Sequence, residues 1–194
     1  MSNYLNIEGQ DIIDELKKNN ENVIFVSGHF NNFELMAMHL ENSGIKLAAI
    51  YRPLNNFFLN KTMETIRKNY ICKIQIKKGK SGTRDIVKLI KDGYSIALMI
   101  DQRVSEGILC KFFEREAFTT TIPAQTVKKY NLKVVPVYIE RSKNYYFKVK
   151  INDPITFNND HSIHDITYDL NTKLENMIKK NPDQWIWSHN RWKR

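Results

Sequence analysis

The segment richest in possible chemistry is Ser27-Gly28-His29-Phe30-Asn31-Asn32-Phe33-Glu34, which directly follows the apolar run Val23 to Val26. A histidine at the end of a buried strand sits at the ligand-facing edge of a sheet. Neutral imidazole accepts a hydroxyl proton near neutral pH. A carboxylate five residues on, Glu34, can turn back toward the ring as the next helix begins. The expected pair is therefore a general base, His29, with Glu34 fixing its tautomer and stabilising the imidazolium. Its chemistry would be acyl transfer onto a hydroxyl.

Spacing constrains that pairing. Five residues of ideal helix rotate a side chain about 140° off-face, so His29 must precede the helix if Glu34 lies in its first turn. With Asn31 as N-cap, Glu34 would fall at the third helical position and serve as a capping-box acid instead. Ser27 and Gly28 are small enough to leave a substrate room beside the ring. Asp101 closes a second apolar run, Ala97-Leu98-Met99-Ile100, and a charge there requires a partner or solvent. It is expected to organise an arginine or the acceptor. Arg52 and Arg67 are candidate holders of anions, because guanidinium donors match phosphate and carboxylate oxygens.

The elements that must position these groups alternate. Helices are expected over Ile7 to Lys18, Phe33 to Leu40, Phe57 to Lys68, Thr83 to Lys91, Thr119 to Tyr130 and Tyr168 to Lys180. Strands are expected over Val23 to Val26, Leu47 to Tyr51, Ile71 to Ile76, Tyr94 to Ile100, Leu132 to Glu140 and Tyr145 to Ile151, the last two as a possible edge hairpin. Ser105 to Phe118 reads as irregular, and Lys77 to Gly82 as a basic turn without the spacing of a phosphate-binding loop. This pattern predicts an α/β fold with a mostly parallel or mixed central sheet and helices on both faces.

Composition narrows the classes. The 194 residues suit one domain, and 42 % hydrophobic with 26 % charged residues is ordinary for a globular chain. No apolar stretch approaches the roughly 18 to 20 residues that span a bilayer, and Met1 to Gln10 does not resemble a secretory signal. Cys72 and Cys110 have no metal or disulfide spacing and are expected in the core. No metal site is expected, since His161 and His164 lack further ligands nearby. The net charge is +9, and nine basic residues face one acid, Glu64, between Arg52 and Arg84. That field favours an anionic partner: nucleic acid, acidic membrane, phosphorylated lipid or an acidic carrier protein. The tail carries Trp185, Trp187 and Trp192 among Arg191, Lys193 and Arg194, suited to a headgroup interface or to docking on the core.

The ordered set of motifs resembles the lipid A biosynthesis acyltransferases, the late lauroyl/myristoyl family. The matching residues are Gly28-His29 through Glu34, Tyr51-Arg52-Pro53-Leu54-Asn55-Asn56, Lys78-Gly79 leading into Thr83-Arg84, and Asp101-Gln102. They continue through Gly107, Phe112-Phe113, Ala117 to Thr121, and Pro182-Asp183-Gln184-Trp185-Ile186-Trp187 to Arg191-Trp192-Lys193. Only the His-x4-Asp/Glu box is shared widely with glycerolipid acyltransferases, whose fold the resemblance also implies.

By that resemblance, the chain would move a fatty acyl group from an acyl carrier protein thioester to a hydroxyl of a Kdo-bearing lipid A precursor. It would do so at the cytoplasmic face of the inner membrane, peripherally, with no cofactor beyond the acyl donor. His29 and Glu34 would be the catalytic box, Arg67 and Asp101 the essential arginine and aspartate, and Arg52 a holder of substrate charge. The expected partners are the carrier protein, the phosphorylated lipid and the membrane surface, with no nucleic acid. Family members carry a longer region before the box, including a membrane-anchoring helix, whereas 28 residues precede His29 here. The expectation is a single acyltransferase domain over 1–194 without that region. The competing readings are a glycerophospholipid acyltransferase, a non-catalytic remnant, and a basic nucleic-acid-binding protein.

Overall fold

The computed structural model describes residues 4–193. Residues 1–3 and 194, and the side chains of Lys80 and Ser81 in the expected basic turn, lie outside the described residues. Seven strands form one sheet: β1 (Leu5–Glu8), β2 (Ile24–Ser27), β3 (Leu47–Tyr51), β4 (Ile74–Lys77), β5 (Ser95–Met99), β8 (Val134–Lys143) and β9 (Tyr146–Ile151). The spatial order is β1-β9-β8-β2-β5-β3-β4. Pairing is parallel throughout except between β8 and β9, which form the antiparallel hairpin and make the sheet mixed.

Six helices cover it: α1 (Gln10–Lys18), α2 (Glu34–Asn42), α3 (Phe57–Tyr70), α4 (Lys80–Lys91), α5 (Ile122–Tyr130) and α6 (Ile163–Lys180). The alternation of side chains along a strand feeds two cores, one per face. On β3 and β5, Leu47 and Ala97 join the larger cluster with α2 and α6. Their neighbours Ala48 and Ile96 join the smaller one with Ile76 and with Ile86 and Ile90 of α4. β2 is buried at every position, as its unbroken apolar run requires of a central strand covered on both faces.

Several expectations shift. Ser105 to Phe118 is not irregular: it contains an antiparallel hairpin of β6 (Ile108–Phe112) and β7 (Arg115–Thr119). Its turn, Phe113-Glu114, has φ of 50° and 59°, so the reversal uses two non-glycine residues in the left-handed region. β1 was not expected; it pairs with β9 through only four residues. α6 begins at Ile163, earlier than Tyr168, because Ser162 and Asp165 form a capping box in the segment that reads as a polar linker. α5 begins after β7 has consumed Thr119, with proline in its first turn and Asn131 ending it at φ 53°. Cys72 and Cys110 are free and buried, and burial pushes the Cys72 thiol up to about 12.

Candidate active site

β2 and β5 are neighbours with Ser27 opposite Met99, so their C-terminal ends deliver His29 and Asp101 to the same place. The Asp101 carboxylate grips the histidine twice. Oδ1 lies 2.7 Å from the imidazole Nδ1, and Oδ2 accepts the His29 backbone N–H at 2.7 Å. Oδ2 also accepts Trp185 Nε1–H at 2.8 Å. Asp101 is 2 % exposed. Burial alone would raise its carboxyl, yet the bonds from His29 and Trp185 and the imidazole beside it hold it below the usual carboxylate range. A carboxylate only accepts, so Nδ1 carries the ring proton and Nε2 is left as the acceptor.

The tail locks this arrangement. Ile186 N–H donates to the His29 carbonyl at 2.9 Å, and Asn31 N–H donates to the Gln184 carbonyl at 2.7 Å. Trp185 itself is buried and packs its ring against Phe112. Further on, Arg191 is fully buried, donating to the Phe118 carbonyl and to Thr119 Oγ1, both at 2.6 Å, with its guanidinium over the Phe112 ring. Burial lowers the Arg191 pKa to about 10. Of the two expectations for the aromatic tail, docking on the core describes Trp185 and Arg191. Trp187 remains 54 % exposed.

Glu34 is not the partner of His29. It opens α2, and Arg67 Nε from α3 donates to its Oε1 at 2.7 Å. Nor does it cap its helix, since no side-chain cap bond forms at that end. The imidazole is already satisfied at Nδ1 by a carboxylate from the adjacent strand, and Glu34 is drawn to the guanidinium facing it. The expected His29–Glu34 bond is corrected to two pairs, His29–Asp101 and Glu34–Arg67. The Arg67 guanidinium also lies over the Tyr51 ring at 5.8 Å, and Tyr51 O–H donates to Glu64 at 2.6 Å. Burial, followed by that bond and the Glu64 charge, pushes the Tyr51 hydroxyl up to about 12.

These groups face a cavity of about 420 Å³. Its lining includes His29, Gln102, His189 and Arg52, together with Glu34 and Arg67. Apolar lining comes from Ala37 of α2, Ala49 of β3, Ala97 and Leu98 of β5, and Ile71 after α3, while Gln75, Lys78 and Thr120 add polar groups. Small residues on β3 and β5 make the space. The roominess expected of Ser27 and Gly28 does not serve the cavity: Ser27 is buried and donates to the Val137 carbonyl at 2.7 Å. A Cβ on Gly28 would meet Leu174 at 2.9 Å, so that glycine admits a core leucine.

Two lining residues escaped the sequence reading. Gln102 Nε2 is 3.4 Å from His29 Nε2. His189, in the tail, accepts the Arg103 N–H at 3.0 Å, and burial lowers its pKa. The adjacency of Gln102 to Asp101 was the available signal for the first; nothing local marked the second.

The mixed sheet with helices on both faces has a glycerolipid-acyltransferase-like architecture. The crystal structure of the 1-acyl-sn-glycerophosphate acyltransferase from Thermotoga maritima superposes with a TM-score of 0.56 over 91 % of this chain and 72 % of that one. The two share 15 % of residues, so the likeness is one of fold. More specifically, the chain belongs to the bacterial lipid A biosynthesis acyltransferase family, whose model matches residues 1–194. It is 24 % identical over 185 residues to the lipid A biosynthesis myristoyltransferase of Escherichia coli K12. It is 22 % identical over 188 residues to lipid A biosynthesis acyltransferase 2 of Shigella flexneri. Each alignment spans 93 % of this chain but only 56 % and 58 % of those relatives. Among the described residues, no helix is long and apolar enough to cross a membrane.

Proposed function

We propose that this chain is an O-acyltransferase that moves a fatty acyl group from an acyl carrier protein thioester to a hydroxyl of a Kdo-bearing lipid A precursor, with His29 as general base. The observation that carries the reading is the anchored imidazole: Nδ1 bonded to buried Asp101, Nε2 turned to the cavity. Family membership supports the reaction class, and an apolar cavity of about 420 Å³ suits an alkyl chain.

In the proposed step, the acceptor hydroxyl gives its proton to His29 Nε2 as its oxygen attacks the thioester carbonyl. Asp101 holds the proton-bearing Nδ1 and stabilises the imidazolium so formed, the role assigned at first to Glu34. The tetrahedral oxyanion needs donors, and the Gln102 amide, which lines the cavity with its Nε2 3.4 Å from His29 Nε2, is a neutral candidate. Collapse breaks the carbon–sulfur bond, and the imidazolium proton passes to the departing thiolate. Ester and free thiol result, and the base is restored. Arg52 engages phosphate on the acceptor or the carrier, while Glu34 and Arg67 hold the α3 wall in place.

The test is transfer from acyl carrier protein thioester to Kdo-lipid A precursor in detergent, with lysophosphatidate as a second acceptor and His29→Ala as the control. Ester formed on the lipid A precursor and lost in His29→Ala is expected. Transfer only to lysophosphatidate would move the reading to a glycerophospholipid acyltransferase. No transfer to any hydroxylated lipid by folded protein would overturn it.

A further inference from the structure

α3 is turned inside out. Its polar side chains face inward: Asn60 accepts the Leu54 N–H, Glu64 accepts from Tyr51, and Arg67 reaches Glu34. None of its residues is buried. The apolar side chains of its first turn stand in solvent instead, with Phe57, Phe58 and Leu59 exposed by 77 %, 82 % and 58 %. Leu54, in the loop just before, is 41 % exposed. Asn56 fixes this turn by accepting the N–H groups of Phe58 and Leu59, a cap that holds the two phenylalanines edge to face against each other and out in solvent. A contiguous apolar cluster on a surface marks an interaction site.

The position of the cluster says what covers it. Arg52, Pro53, Leu54 and Asn55 line the same cavity as His29, so the apolar cluster adjoins the cavity lining through Leu54. Arg52 in the loop and Lys61 in the next turn of α3 are exposed, as is Lys68 further along the helix. The one acid between Arg52 and Lys68 is Glu64, already bonded to Tyr51 and Asn60. A second copy joined across this face would set those cations against their own counterparts. An anionic bilayer offers both missing complements, negative headgroups for the lysines and an acyl boundary for the rings.

We propose that the first turn of α3 and the loop before it, led by Phe57 and Phe58, insert into the interface of an anionic lipid bilayer and set the cavity mouth against the headgroups. This deepens the lipid-acceptor reading and rests on it for its purpose, because a mouth opening at that depth receives an acceptor without drawing its chains through water. The contact itself is measurable without turnover.

The experiment is flotation of the 194-residue chain with vesicles of phosphatidylcholine, and of phosphatidylcholine with phosphatidylglycerol, with neither acyl donor nor acceptor present. Wild type is expected to float with the anionic vesicles, less so at high salt. The double substitution Phe57→Ser/Phe58→Ser is expected to weaken binding by at least about tenfold while circular dichroism stays unchanged. Trp187→Ser is the control for the exposed tail ring, expected to change binding less than about twofold. His29→Ala is expected to bind as wild type does, so failed transfer with intact vesicle binding sinks only the catalytic reading. The proposal is overturned if the chain ignores anionic vesicles or if the Phe57/Phe58 double variant binds as tightly as wild type. A solution dimer that the same variant dissociates would also overturn it, showing a second copy to be the occupant.

Discussion

Two carboxylates bond to residues that line the same cavity, Asp101 to His29 and Glu34 to Arg67, and are held in opposite ways. Asp101, at the end of β5, is sealed from water, bonded to His29 twice and to Trp185 once, with the backbone around it tied to the tail. Glu34 is 34 % exposed in its side chain and meets a single arginine from a helix with no fully buried residue. The sheet edge is therefore a fixed station and the α3 wall an adjustable one. The proposed base must keep one tautomer and one direction through each turnover, whereas a wall beside the proposed lipid-binding cavity can yield. Chemistry is expected at the first and substrate fit at the second.

The largest effects should fall on the fixed station. His29→Ala is expected to lower kcat by roughly 10²–10⁴-fold without unfolding the protein, as read by transfer assays and circular dichroism. Next comes Trp185→Phe, which keeps an aromatic ring on Phe112 but deletes the N–H held by Asp101. It should cost about 1.5–3 kcal/mol in urea unfolding, the worth of a hydrogen bond to a charged group. It should also lower kcat more than it changes KM. Equal changes in both would mean that Trp185 shapes the cavity and does not steady the base.

Acid should erase part of the same station's contribution. Folding lowers the Asp101 carboxyl from its ordinary 3.8, so the folded state binds fewer protons than the unfolded one just below that value. The stabilisation is complete above 3.8 and is lost as pH falls through the folded value. The stability gap between wild type and Asp101→Asn, read from urea midpoints, should shrink over that window. A gap that widens with acid would contradict the charged carboxylate.

Smaller effects belong to the α3 wall. A double-mutant cycle on Glu34→Gln and Arg67→Met should give a coupling below about 1 kcal/mol, because both partners are partly exposed and solvent screens the pair. KM for the acceptor should rise more than kcat falls. A coupling of several kcal/mol would make the wall as rigid as the sheet edge and dissolve the contrast.

Much of the scaffold was legible from strand and helix periodicity, and both His29 and Asp101 could be placed at strand ends. Their pairing could not, because it depends on β2 lying beside β5 across 72 residues of chain. Local spacing favoured Glu34 only because it was near in sequence. The β6–β7 hairpin was hidden for a different reason: Phe113 and Glu114 occupy backbone angles usually marked by asparagine or glycine, so no turn signal was present. The composition around Arg191 suits a headgroup interface and docking on the core alike, so it does not place that side chain. Its burial follows from a backbone carbonyl, a threonine and a phenylalanine ring that only tertiary structure assembles.

The central claim is that the base is steadied by Asp101 and not by the carboxylate nearest in sequence. Single-turnover transfer measured in parallel for Asp101→Asn and Glu34→Gln tests it most directly. Asp101→Asn should fall by roughly 10³–10⁴-fold, as expected when an imidazole loses the carboxylate that sets its tautomer, with Glu34→Gln at least tenfold more active than Asp101→Asn. Asp101→Asn at wild-type rate, with Glu34→Gln inactive, would contradict the account.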